Sequence, residues 1–322
     1  MNDLLSYPLL VAKRLYAALG GEKSNFGRNL MLFSVKGYAN DLIYNSLLND
    51  EPLMVARLGA NELTCMVNYL GVSNPKDYKS IEGFIKSRTP HWWWSEGMLQ
   101  NMEIGAGFFP ANAVTAERFS EMMISDLPKV DILGSWLLQE SFFKKELANS
   151  KKVVLEDLEP FFTAKPWTWA LKGKKVLVIH PFSEQIESQY LIRDKIFPNN
   201  LLPEFELRTI KSVQSLARER TVYKDWFEAL EAMKKQIKEI DFDVCIIGCG
   251  AYGFPLASYV KNLGKKAIHL GGVTQLLFGI KGSRWERYLV YPYENLYNEY
   301  WVRPSDSNKP KNASSVEGAC YW

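Results

Sequence analysis

Asp243-Val244-Cys245-Ile246-Ile247-Gly248-Cys249-Gly250-Ala251-Tyr252-Gly253 is the stretch that decides the fold. An apolar, β-branched run of strand length ends in three spaced glycines, and a helical pattern follows at once. Glycine lets the backbone approach a phosphate closely, and a helix N-terminus offers unpaired N–H groups with a positive dipole end. The spacing fits the dinucleotide fingerprint. A nicotinamide site, however, calls for an acid about 20 residues later, at the end of the next strand. That strand ends Ala267-Ile268-His269-Leu270 and carries none. The missing acid disfavours a nicotinamide site and favours either a nucleotide or sugar-phosphate turn or a purely packed strand-to-helix turn.

Working outward, similar apolar runs occupy Leu53–Leu58, Val130–Leu133, Val153–Leu155, Val176–His180, Glu206–Ile210, Val244–Ile247 and Ala267–Leu270. They are nearly continuous in apolar character rather than alternating, as buried parallel strands are. Helical patterns lie between them: Glu62–Leu70, Glu219–Ile237 and Pro255–Leu263, the last stopped by Gly264. The expectation is an α/β, Rossmann-like fold with a mostly parallel sheet and helices on both faces. It is divided into an N-terminal helical segment (1–50), the α/β domain (51–300) and a tail (301–322) too aromatic to be discarded, which should pack on the body. Pro160–Gly173 reads as a boundary between two halves.

Candidate site residues gather at strand ends, where open α/β sheets bind ligands. Gly248, Gly250, Tyr252 and Gly253 form one turn; Gly271, Gly272 and Gln275 form the next. Lys281 and Arg284 offer cations to a diphosphate, or merely solvated charge, and Trp285 offers a stacking face. Arg57, Gly59 and Glu62 sit where the first strand meets its helix, with Glu62 also explicable by the helix dipole. His180 ends another strand and is a candidate base. Gln185, Gln189 and Arg193 could face the same crevice, and Trp92-Trp93-Trp94 suits either sugar stacking or core packing.

The bulk properties narrow the function. With 322 residues, 47% hydrophobic, 23% charged and a net charge of +3, the chain has a sizeable core and no strongly basic face, which argues against a nucleic-acid partner. Four scattered cysteines fit free thiols in a reducing, cytoplasmic setting better than a zinc site. No run approaches the ~20 apolar residues of a membrane span. Leu4, Leu5, Leu9, Leu10 and Val11 precede Lys13 and Arg14, the reverse of a secretory signal. Lys13, Arg14, Lys23, Arg28 and Lys36 outnumber Asp3 and Glu22, so this segment either rests on an anionic membrane surface or packs on its own domain.

Arg57-Leu58-Gly59-Ala60-Asn61-Glu62 resembles the Arg-Phe-Gly-Asp-Gly-Glu stretch of the GT-D glycosyltransferases, and Cys249–Trp285 is similar to the C-terminal half of GT-D-like proteins of bacterial polysaccharide clusters. The resemblance implies a Rossmann-like domain that moves a sugar from a nucleotide-diphosphate donor to a glycan or lipid-linked acceptor. In that family an Asp-x-Glu pair helps hold a divalent ion, Mn²⁺ or Mg²⁺, and the donor diphosphate. Glu62 matches the second acid, while Ala60 stands in place of the first. Lys281 and Arg284 are then the groups for the leaving diphosphate, and His180 the base, with Glu62 and Glu317 as substitutes. The alternatives are a non-catalytic sugar-nucleotide-binding or scaffold protein and an NAD-dependent oxidoreductase.

Overall fold

The computed structural model describes residues 3–20, 35, 37–287 and 292–322. Glu22, Lys23, Arg28 and Lys36 of the N-terminal basic segment lie outside the described residues, as do the side chains of Asp3, Leu4 and Leu5.

Seven strands form one sheet: β1 (Leu53–Arg57), β2 (Ile132–Ser135), β3 (Lys151–Val154), β4 (Lys175–His180), β5 (Glu206–Lys211), β6 (Val244–Ile247) and β7 (Lys266–His269). Their order is β3-β2-β1-β7-β6-β4-β5 and every pairing is parallel. Alternate residues of the central strands feed two separate cores. Met54, Ala56, Leu177, Ile179, Cys245, Ile247 and Ala267 pack on one face. Leu53, Val55, Val176, Val178, Val244, Ile246 and Ile268 pack on the other. Both faces are therefore covered, which is why these strands read as unbroken apolar runs.

All seven expected strands are present, with small shifts at their ends. β2 begins two residues later than its apolar run because Pro128 opens a short helical turn, Leu127–Lys129, that takes up Val130. The Asp131 carboxylate instead accepts the Met54 N–H (2.8 Å) and the Lys261 ammonium (2.7 Å), joining β1, the start of β2 and the helix Gly253–Asn262. The helix expected over 219–237 runs from Trp226 to Glu239. Asp225 caps it by accepting the Glu228 N–H at 2.8 Å, and the residues from 219 to 225 before it are irregular rather than helical. Helices Glu96–Gly105 and Ala113–Asp126 were not among the sequence expectations, although Ser95 and the Asn112–Thr115 capping box announce them.

Pro160–Gly173 is not a linker. Phe161, Trp167, Ala170 and Leu171 are buried in the second core, and the Trp167 indole donates to the Leu158 carbonyl at 2.9 Å. The tail also packs on the body. Ala313, Val316 and Cys320 are buried, and the Cys320 carbonyl accepts the Arg284 N–H at 2.9 Å. Buried Gln275 anchors this region: its amide nitrogen faces the carbonyls of Ile280 (3.3 Å), Lys281 (2.9 Å) and Tyr321 (3.1 Å). All four cysteines are buried free thiols. Among the described residues no helix is long and apolar enough to cross a membrane.

Gln275→Leu leaves these buried carbonyls without their donor, at a cost of about 1–3 kcal/mol for each group that finds no substitute. Urea unfolding should show that loss, and hydrogen exchange should show early opening of residues 313–322. An unchanged exchange pattern would mean that the tail is held by its aromatic contacts instead.

Candidate functional site

β1, β4, β6 and β7 are adjacent in the order β1-β7-β6-β4, and the chain leaves β4 toward β5 but leaves β6 toward β7. Such a divergence opens a crevice at the carboxyl edge of the sheet. The cleft found there has a volume of about 220 Å³. Its wall includes Arg57, Gly59 and Glu62 after β1, His180 at the end of β4, Gly248, Gly250 and Tyr252 after β6, Gly271, Gly272 and Gln275 after β7, and Arg284 and Glu317 from the tail region. Residues far apart in sequence thus share one surface. Gly253 and Lys281 do not line it. The missing Cβ of Gly253 is the space filled by the His269 imidazole, and the Lys281 ammonium lies 5.2 Å from the Tyr297 ring centre.

Each glycine has its own reason. A Cβ on Gly248 would meet the Gly271 carbonyl and the Thr274 hydroxyl at 2.6 Å, so the two turns are pressed together. A Cβ on Gly272 would strike the Tyr321 ring, and one on Gly59 would strike the Glu62 carboxylate. Gly250 differs. Its φ is +58°, and the only atom within reach of a Cβ is the Ala106 carbonyl at 3.5 Å, leaving open space beside the backbone.

Glu62 sits in the first turn of the helix Ala60–Ser73, its carboxylate folded against Gly59. Burial raises its pKa, while a backbone hydrogen bond and the Arg57 charge pull the other way. The Arg57 guanidinium donates to the Leu58 carbonyl (3.2 Å) and lies 5.1 Å from the Trp136 ring centre. The same Leu58 carbonyl accepts the Trp136 indole N–H at 2.9 Å. Buried Glu140 fixes the loop carrying Trp136 by accepting the Trp136 N–H (3.0 Å), the Leu137 N–H (3.1 Å) and the Ser135 hydroxyl. Glu159, which the sequence reading did not single out, follows β3. Burial pushes it up to about 8 against the opposing effects of the Tyr293 hydroxyl, 2.6 Å away, and the Arg57 charge. Its only sequence signal is the acidic run Glu156-Asp157-Leu158-Glu159 just past a strand.

His180 departs from its expected role as a base. Its Nδ1 accepts the Phe182 N–H at 3.0 Å, so the neutral ring carries its proton on Nε2. Burial depresses its pKa to about 3. A ring in this tautomer donates a hydrogen bond at Nε2 and does not abstract a proton there. Glu317 is engaged as well, 2.8 Å from Arg284, whose guanidinium also reaches the Tyr321 hydroxyl at 3.2 Å. Tyr252 stacks on Trp226 at 4.9 Å with its hydroxyl 3.1 Å from Ser215, so most of its ring belongs to the core.

Several other candidates lie elsewhere. Gln185 holds the Arg303 carbonyl and the Ser305 N–H, and Gln189 holds the Tyr300 carbonyl. Arg193 lies 5.0 Å from the Tyr190 ring centre, and Trp285 is buried near Tyr321. Trp92 and Trp93 pack with Phe84 and His91, and Trp94 stacks on Tyr69, away from the cleft wall. The sequence reading missed Trp136, His269, Tyr321 and Trp322, all of which line the cleft.

The residues present do not fit a resident divalent ion. Glu62 alone answers to the family's acid pair, with the Arg57 cation acting on it, and among the described residues no group of three His, Cys, Asp or Glu side chains converges. Compared with known proteins, the chain matches no family model, no curated protein and no solved structure.

The histidines make stability depend on pH. The chain has three, and burial lowers His91 to about 4 and His180 and His269 to about 3 from an ordinary 6.5. Below about 6.5 the unfolded chain takes up protons that the native state refuses, so stability falls on acidification. Glu159 has the opposite sign: with its folded pKa near 8 against an ordinary 4.5, it loses stability as pH rises between those values. Stability should therefore peak near neutrality and decline toward pH 4, by ~1.4 kcal/mol per pH unit for each uncompensated proton. Urea titrations of wild type and His91→Phe across this range check it. The variant's acid limb should be shallower by one proton, and an identical slope would contradict the assignment.

Proposed function

We propose that the chain is a glycosyltransferase whose carboxyl-edge cleft binds a nucleotide-diphosphate sugar. The observation that carries this reading is the convergence of Arg57, Arg284 and the open Gly250 turn on one cleft. Two guanidinium groups and the N-terminus of the helix Ala60–Ser73, whose first residues line the cleft, give it an affinity for a diphosphate. The aromatic side chains of Trp136, Tyr321 and Trp322 supply flat faces for a ring. At about 220 Å³ the cleft is smaller than the ~300–1,000 Å³ of pockets that take whole ligands. It therefore holds the diphosphate and one ring, with the rest of the donor toward solvent.

In the transfer step an acceptor hydroxyl forms a new bond to the anomeric carbon, while the bond from that carbon to the diphosphate oxygen breaks. The leaving diphosphate keeps the electron pair, and the acceptor proton passes to a base. Arg57 and Arg284 stabilise the leaving charge. His180 donates its Nε2 proton as a hydrogen bond to donor oxygens. Glu62, whose pKa burial raises, takes the base role first assigned to His180. A non-catalytic donor-binding protein is the second reading, favoured by Ala60 standing where the family has an acid.

A panel of nucleoside diphosphates and their sugars in a thermal-shift assay tests the binding half. A cognate ligand at a hundredfold its Kd should add ~2.7 kcal/mol, and Gly250→Val and Arg284→Gln should each abolish the shift in a folded protein. Donor hydrolysis or sugar transfer then separates the enzyme from the binding protein. His180→Ala should slow turnover by ~10²–10³, as for other lost transition-state donors, and activity should survive EDTA. The proposal fails if no donor shifts the melting curve, or if the Gly250 variant responds like wild type.

A further inference from the structure

The helix Asp3–Ala18 packs on the short helix Ile81–Ile85. It does so through one side only. Buried Ser6 and half-buried Leu9, Leu10, Ala12, Lys13 and Tyr16 face the body, and the Lys13 ammonium lies 4.5 Å from the Phe84 ring centre. Its other side is apolar and open. Tyr7 is 70% exposed, Val11 37% and Leu15 58%, with Leu19 just beyond the helix at 87%. Spacing by four residues puts them on one ridge, roughly 12 Å long from Tyr7 to Leu15. Ile81, 60% exposed on the helix beneath, adds to the apolar surface.

The exposed charge around this ridge is predominantly basic. Arg14 is exposed on the helix, and no acid lies among its described exposed side chains. Lys76 and Lys79 are exposed on the segments flanking Ile81, against exposed Asp77; exposed Glu82 is paired with Lys86 at 2.8 Å and also feels the Arg88 charge. An apolar ridge bordered by cations matches an interface between acyl chains and anionic headgroups. A second copy of the chain is a poorer match. A two-fold contact places the same patch on both partners and would set these cations against each other.

We propose that this helix is a docking face for an anionic lipid surface, with Tyr7, Val11 and Leu15 entering the headgroup boundary and Arg14, Lys76 and Lys79 contacting acidic headgroups.

Flotation of the full chain with phosphatidylcholine vesicles, with and without phosphatidylglycerol, tests it. Binding is expected only to the vesicles containing phosphatidylglycerol, and it should weaken as salt shortens the range of the charges. Val11→Glu combined with Leu15→Glu should lower partitioning by at least about tenfold, since two apolar side chains no longer enter the boundary. Arg14→Gln should lower it about fivefold, the effect of one cation at such a surface. All three positions are exposed, so unchanged melting curves would verify folding. Three results would overturn the proposal. One is no binding to acidic vesicles, and another is equal binding by the Val11/Leu15 variant. The third is a concentration-dependent dimer that the same variant abolishes while vesicle binding is absent.

Discussion

The close contact between two backbone turns at the carboxyl edge of the sheet determines where everything else in the cleft can be. Gly248 has the Gly271 carbonyl and the Thr274 hydroxyl where its side chain would stand. Hydrogen bonds reinforce the approach: the Thr274 hydroxyl (3.3 Å) and the Leu270 N–H (3.1 Å) both donate to the Ile247 carbonyl, and the Gly248 N–H donates to the Ile179 carbonyl at 2.9 Å. Three neighbouring strands are thereby locked at one level. His180, Gly250 and Gly271 follow from that level, each at the end of its own strand. An alanine at Gly248 would force the two turns apart, because it meets the Gly271 carbonyl and the Thr274 Cβ, neither of which a change of rotamer can move.

This interlock also explains which parts could be read from the chain. The strands were legible because burial on both faces requires continuous apolar runs, and the glycines because a close approach leaves no other residue type. His180 was legible as a strand-end residue, but its chemistry was not. Its tautomer depends on the Phe182 N–H, a backbone group whose direction is set by how the chain turns after Pro181. Lys281 shows the reverse error. Its sequence position beside Arg284 suggested a shared task, yet the parallel contact of Ile280 with Val302 directs the chain so that Lys281 meets Tyr297. The helix start at Trp226 was hidden for a similar reason, since an amphipathic pattern continues upstream of Asp225 whereas the backbone does not.

Charge in and beside the cleft is arranged in opposed pairs. Arg284 meets Glu317 directly, and Arg57 acts on both Glu62 and Glu159. The two acids near Arg57 still have raised pKa values, so burial outweighs the attraction of the guanidinium. An anion entering beside Arg57 would add to that imbalance on the acid side, making protonation of Glu62 easier. Anion binding and proton uptake at Glu62 are then favourably coupled, as linkage requires. Under the transferase reading this coupling has a direction: the acid receives its proton most readily when the departing diphosphate carries the most charge.

The tail gives this balance its dependence on the rest of the molecule. Glu317 adopts positive φ, unusual for a residue with a full side chain, and the turn places its carboxylate on Arg284. Tyr321 fills the space that Gly272 leaves open and lies 4.6 Å from the same guanidinium. Trp322 lines the cleft beside Phe182. One wall of the site is thus built from the last residues of the sequence shown, held through Gln275 to the turn that follows β7. Any movement of that turn on ligand binding would reach Arg284 by two routes: through the Cys320 carbonyl that holds its backbone, and through the Tyr321 ring beside its guanidinium. The carboxyl edge of the sheet and the tail therefore act as one packed unit, and the cleft is complete only when both are in place.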